Sequence, residues 1–122
     1  MSQNTNTKRS PFSDLEDRTL QFARDVNQYV RKLPKTISNI ENGKQLVRSG
    51  GSVGANYIEA NEALSRKDFV MRIKISKKET KESRYWLFLT EPLAEQENER
   101  QRLIQESNEL MKIFGAIIEK SK

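Results

Sequence analysis

Four stretches of this chain place apolar residues at three- and four-residue steps, and a helix breaker or a capping residue parts each from the next. In the first, Leu15, Phe22, Val26, Tyr29, Val30 and Leu33 recur until Pro34 ends the pattern, with Ser13 as the predicted N-cap and Glu16 three residues on. In the second, predicted over residues 38–64, Ile40, Val47, Gly51, Gly54 and Ile58 share one side of a helix, with Leu46, Val53, Tyr57 and Leu64 beside them. The third follows Ser65, a cap with Asp68 at its third position, and runs to residue 89 on an inner stripe of Phe69, Ile73, Ser76, Thr80, Ser83 and Leu87. Pro92 closes the next link. The fourth runs over residues 94–119 on Leu103, Leu110, Phe114 and Ile117, with Ile104, Met111 and Ile118 alongside. Four amphipathic helices on short links predict an all-α, up-and-down (antiparallel) four-helix bundle.

A chain of 122 residues holds one domain with one core, here residues 13–122 behind a polar, disordered tail at residues 1–12. Apolar residues make up 34% and charged residues 32%, which leaves little core per residue and favours a partner subunit. With neither cysteine nor histidine, disulfides, thiolate chemistry and the usual zinc sets are excluded. No cofactor is expected. No apolar run approaches a membrane span and the N-terminus lacks a hydrophobic signal core, so a cytoplasmic protein without membrane contact is expected.

The stretch "SGGSVGANYIEANEAL", residues 49–64, puts Gly50, Gly51 and Gly54 inside a helical pattern. Each glycine weakens a helix by about 1 kcal/mol against alanine, so close packing is the natural offset. The expected neighbour is the third helix, whose stripe is small and hydroxylated at Ser76, Thr80 and Ser83, although a break at Gly50–Gly51 would also suit adjacent glycines. A phosphate cradle fits poorly. "GGSVGAN" is followed by neither Lys-Ser nor Lys-Thr, and no strand precedes it.

Charge singles out the third helix. The formal net charge is +5, and residues 65–90 alone carry eight bases against three acids. Lys67, Lys74, Lys78 and Lys81 share one face with Tyr85 at the end of the row, a stripe able to follow a phosphate backbone beside an aromatic available for stacking. The plainer reading is a solvated face. Glu79 and Glu82 lie on another face with Ile75 and Trp86. Di-metal sites in bundles take Glu-x-x-His motifs and this chain has no histidine, so catalysis by the pair is not expected. Surface pairing with Lys78 is one reading; a contact between subunits is the other, since tryptophan is enriched at interfaces.

"LVRSGGSVGANYIEANEALSRKDF" followed by "KISKKETKESRYWLFL" resembles the paired signature of bacterial four-helix-bundle proteins related to the intervening-sequence proteins encoded within 23S ribosomal RNA genes. Arg48, Ser49, Ser52, Asn56 and Glu59 match the first half of that signature, and Lys78, Glu79, Glu82, Tyr85, Trp86 and Leu87 match the second. The chain departs from many relatives in reading "EANEAL" after the asparagine and in carrying Gly50–Gly51 where bulkier residues are common. The resemblance implies the four-helix bundle and, for several relatives, a ring-like homopentamer. A related branch accompanies reverse transcriptases as a basic nucleic-acid-binding accessory. Together these readings give a non-enzymatic homo-oligomer that binds RNA or DNA through the lysine face of the third helix. The alternative is a scaffold or accessory factor for a protein partner.

Overall fold

The computed structural model describes residues 11–122. They form α1 (Pro11–Arg31), α2 (Ile37–Asn61), α3 (Arg66–Leu89) and, after a 3-10 turn at Ala94–Gln96, α4 (Glu97–Lys120). Residues 1–10 of the expected tail lie outside the described residues, and its last two already belong to α1. α1 thus starts before Ser13, which is not its cap; proline suits a first helical position because that position needs no N–H donor. α2 starts behind Thr36, whose hydroxyl accepts the Asn39 N–H at 3.1 Å, and stops at Asn61, short of residue 64. α3 starts as predicted, the Ser65 hydroxyl accepting the Asp68 N–H at 3.0 Å. Glu97 and Glu99 in the first turn of α4 and Lys120 in its last complement the helix dipole.

Contacts between helix ends establish the antiparallel order. Asn61, closing α2, donates to Glu16 early in α1 at 2.7 Å, and Tyr29 late in α1 shares a 2.7 Å bond with Thr90 just past α3. Asn39 joins two links at one end of the bundle. Its amide nitrogen donates to the Pro34 and Glu91 carbonyls, each at 3.0 Å, and its oxygen accepts the Glu91 N–H at 2.9 Å. Between these ends lies a core of Phe22, Val26 and Tyr29 from α1, Leu46, Val53 and Tyr57 from α2, Ile73 and Leu87 from α3, and Leu103, Leu110 and Phe114 from α4. Among the described residues no helix is long and apolar enough to cross a membrane.

α2 runs unbroken through Gly50 and Gly51, and its glycines serve a different neighbour from the one expected. A Cβ on Gly43 would stand 3.0 Å from Val30, one on Gly50 3.2 Å from Val26, and one on Gly54 2.9 Å from the Thr19 hydroxyl oxygen. All three contacts are with α1. The seam with α3 is made of serines instead: Ser49 and Ser83 share a 2.8 Å bond, and Ser76 donates to the Val53 carbonyl at 2.9 Å. The inward arc of α2 is therefore centred on Leu46, Ser49, Val53 and Tyr57. Ile40, Val47 and Ile58 turn outward, Leu64 sits fully exposed in the link, and a Cβ on Gly51 would meet nothing within 4 Å.

A candidate nucleic-acid interface on α3

α3 is amphipathic in an unusual sense, since its buried stripe is half hydroxyl. Thr80 bonds back to the Ser76 carbonyl at 2.7 Å and Ser83 to the Glu79 carbonyl at 2.9 Å, so these hydroxyls are satisfied inside the protein. That thin inner stripe seats α3 deep against α2 and leaves its opposite face open. Lys67, Lys74, Lys78 and Lys81 are all exposed on that outer face. Among the described residues none of the four ammonium groups forms an ion pair, and Tyr85 ends the row with 57% of its surface exposed.

Two residues that the sequence reading passed over complete this surface. Phe88, 60% exposed, stands one turn beyond Tyr85, and Arg84 reaches α4 to donate to Asn108 at 2.6 Å. With Lys81, Tyr85 and Ile104 they line a groove of about 410 Å³ between α3 and α4. The seven-residue step from Lys81 to Phe88 was a usable signal, because it repeats one helix face. Cations and aromatic rings thus share one groove wall, a combination that suits phosphates and unpaired bases together.

The second predicted cluster lies on the neighbouring face, over the outside of the α2–α3 seam. Arg48 Nη2 stands 3.3 Å from an oxygen of Glu79 and 3.3 Å from one of Glu82, so one guanidinium bridges both carboxylates. Glu82 thereby pairs across helices rather than with Lys78. Glu79 is buried while Arg48 is half exposed, which makes the pair a clasp between helices with its cationic partner at the water boundary. Ile75 and Trp86 flank it, both partly buried. The Trp86 ring meets Tyr85 edge-on at 5.0 Å, and its buried indole N–H has no acceptor among the described residues.

The remaining signature residues extend the clasp along α2. Ser52 donates to the Arg48 carbonyl at 3.0 Å, and Asn56 donates to the Ser52 carbonyl at 3.0 Å while its side-chain oxygen accepts from Arg72 at 3.2 Å. Ser49 belongs to the buried serine seam. Glu59 is exposed on the outer side of α2, apart from this network. Four of the five α2 signature residues therefore hold α2 and its junction with α3 together.

Comparison with known proteins agrees with this architecture. A family model described as 23S rRNA-intervening sequence protein matches residues 14–116. A crystal structure from Bacteroides thetaiotaomicron VPI-5482, described as a protein with unknown function from the S23 ribosomal protein family, is 35% identical, with 88% of this chain and 97% of that one covered and a TM-score of 0.68. No curated protein matches the chain.

Proposed function

Since the chain belongs to the 23S rRNA-intervening sequence protein family, we propose that it is a non-enzymatic, oligomeric helical bundle that binds RNA or DNA without sequence preference through the outer face of α3. The observation that carries the reading is where positive charge remains unpaired. Several cations elsewhere on the bundle meet acids, Arg18 with Glu106 at 2.7 Å, Lys32 with Glu99 at 2.9 Å and Arg100 with Glu97 at 2.7 Å, whereas four unpaired lysines stand together on one face of α3. Lys67, Lys74, Lys78 and Lys81 keep their charge for solvent or a partner, and Tyr85 and Phe88 offer open rings at the end of that row. Such a surface attracts phosphates by displacing counterions and holds unpaired bases by stacking. The face carrying Ile75, Glu79, Glu82 and Trp86 is the proposed contact in a ring-like homopentamer, a reading supported by the partly exposed apolar surface of Ile75 and Trp86. Five copies would multiply a weak single contact through avidity.

The test is anisotropy titration with a short fluorescent RNA of mixed sequence, alongside light scattering of the free protein. Binding should weaken steeply as salt rises and fall at least about tenfold when Lys74, Lys78 and Lys81 become glutamate. Tyr85→Ala should weaken single strands more than duplex. RNA binding indifferent to both salt and the lysine changes overturns the reading and leaves the protein scaffold, which would show as a protein partner retained after nuclease treatment.

A further inference from the structure

The outer side of α2 carries an apolar row that nothing in the protomer covers. Ile40, Val47 and Ile58 are 42%, 39% and 50% exposed on one face of the helix, and Gly51 lies between Val47 and Ile58 on that same face. Gly51 stands apart from Gly43, Gly50 and Gly54, each of which makes room for α1. It has open space where its Cβ would be, so it weakens the helix with no return inside the protomer. Scattered exposed aliphatics need no explanation, but an aligned row with a gap in it describes a seat for another surface.

Beside the N-terminal half of this row lies a groove of about 410 Å³, walled by Val30 of α1, Leu33 of the first link, and Ile40 and Val47 of α2. Lys35 and Lys44 border it. The C-terminal half of the row presents the complement: a protruding Ile58 with exposed Glu59 and Glu62 nearby. Lys44 is held locally only by an exposed 3.4 Å contact with Glu41, a pair weak enough to exchange. One half of α2 is thus an apolar recess with basic borders, and the other half an apolar knob with acidic neighbours.

We infer that two copies of this chain pair through the outer faces of α2 in antiparallel register, Ile58 of each entering the Val30–Leu33–Ile40–Val47 groove of the other. In that register each Val47 passes over the partner copy's open glycine, and Glu59 and Glu62 approach Lys44 and Lys35. A parallel register would set Lys35 and Lys44 against themselves. The contact is isologous and closes on two chains, so it is distinct from the one that closes a ring. One helix face with one groove is at the small end of specific interfaces, which makes the pairing concentration-dependent.

Because the native chain has no cysteine, single-cysteine variants read the register directly. Positions 40 and 58 are about 27 Å apart along a helix, and both are exposed, so Ile40→Cys and Ile58→Cys should fold. Under mild oxidation and without RNA, a mixture of the two variants should form a disulfide-linked pair that neither forms alone. Cross-linking of Ile40→Cys with itself, or no cross-linking in the mixture, overturns the register. Charge exchange gives a second reading by sedimentation velocity. Glu59→Lys/Glu62→Lys and Lys35→Glu/Lys44→Glu should each raise the self-association Kd at least about tenfold, and mixing them should restore pairing, since both contacts are then complementary. Failure of the mixture to recover means the surface meets something other than a second copy and overturns the proposal. Neither experiment contains RNA, so its outcome is independent of the function proposed for α3.

Discussion

Gly54 of α2 lies against Thr19 of α1 so closely that a single methyl group would stand 2.9 Å from the threonine hydroxyl oxygen and 3.2 Å from its Cβ. Thr19 cannot yield. It is buried, branched at Cβ, and tied to the Glu16 carbonyl at 3.0 Å. Gly54→Ala therefore adds volume to a filled seam, at about 1–3 kcal/mol, and recovers only about 1 kcal/mol of helix propensity. Gly51→Ala has the gain without the clash. Chemical denaturation of the protomer should show Gly54→Ala destabilised by up to about 2 kcal/mol and Gly51→Ala stabilised by up to about 1 kcal/mol. Equal effects at the two positions would show that the seam does not discriminate them.

The glycine result also marks where sequence reasoning stops. Periodicity separates the helices from their links and places Phe22, Ile73 and Phe114 inward, because each of their helices has one dominant apolar stripe. α2 has two adjacent strips, one with Ile40, Val47 and Ile58 and one with Leu46, Val53 and Tyr57, and a helical wheel does not tell which strip has neighbours on both sides. The lysine row and Tyr85 were legible because exposed charge follows spacing alone. Arg48 bridging Glu79 and Glu82 was not legible as a clasp, since it depends on the rotation of two helices about separate axes. Asn39 carried no periodic signal at all: its role comes from two links meeting at one end of the bundle.

Arg48 and Glu79 test whether that clasp supports the fold. Arg48→Ala leaves a buried carboxylate without its guanidinium, yet the arginine is half exposed and water can enter when it goes. The loss should be about 1–2 kcal/mol, below the 3–5 kcal/mol typical of breaking a fully buried pair. Glu82→Ala removes only the outer, partly exposed arm of the bridge and should change stability by under about 1 kcal/mol. A loss at Glu82 equal to that at Arg48 would place the weight on the outer arm instead.

Asn39 has stronger constraints, because both ends of its amide are committed. The two carbonyls it serves and the Glu91 N–H hold the first and third interhelical links together. Asn39→Ala removes all three bonds and should destabilise by about 2–4 kcal/mol. Asn39→Asp keeps the acceptor and replaces the donor with a second oxygen facing carbonyls, so at neutral pH it should be at least as damaging. Measured side by side in urea, Asp markedly better than Ala would show that the Glu91 N–H alone carries the role.

Stability against pH should have a broad plateau and a sharp alkaline limit. The chain has no histidine or cysteine side chain to titrate near neutrality, which leaves the interval from about 6 to 9 largely flat. Burial raises Tyr29, against its hydrogen bond with Thr90 and the charge of Arg100, and burial likewise raises Tyr57 against the opposing influence of the Asn61 side chain. A phenol whose value is raised on folding holds its proton more tightly in the folded chain, so unfolding releases that proton at high pH. Its stabilising contribution is complete below the ordinary value of about 10 and is lost as pH rises beyond it. Melting temperature should accordingly fall above about pH 10, and Tyr57→Phe should flatten that fall while keeping its core volume. Tyr29→Phe removes its 2.7 Å bond to Thr90 as well, and since Thr90 retains the Leu87 carbonyl at 2.8 Å, the neutral-pH loss should be only about 1 kcal/mol. An alkaline limb unchanged in both variants would show that these two phenols do not set the alkaline limit.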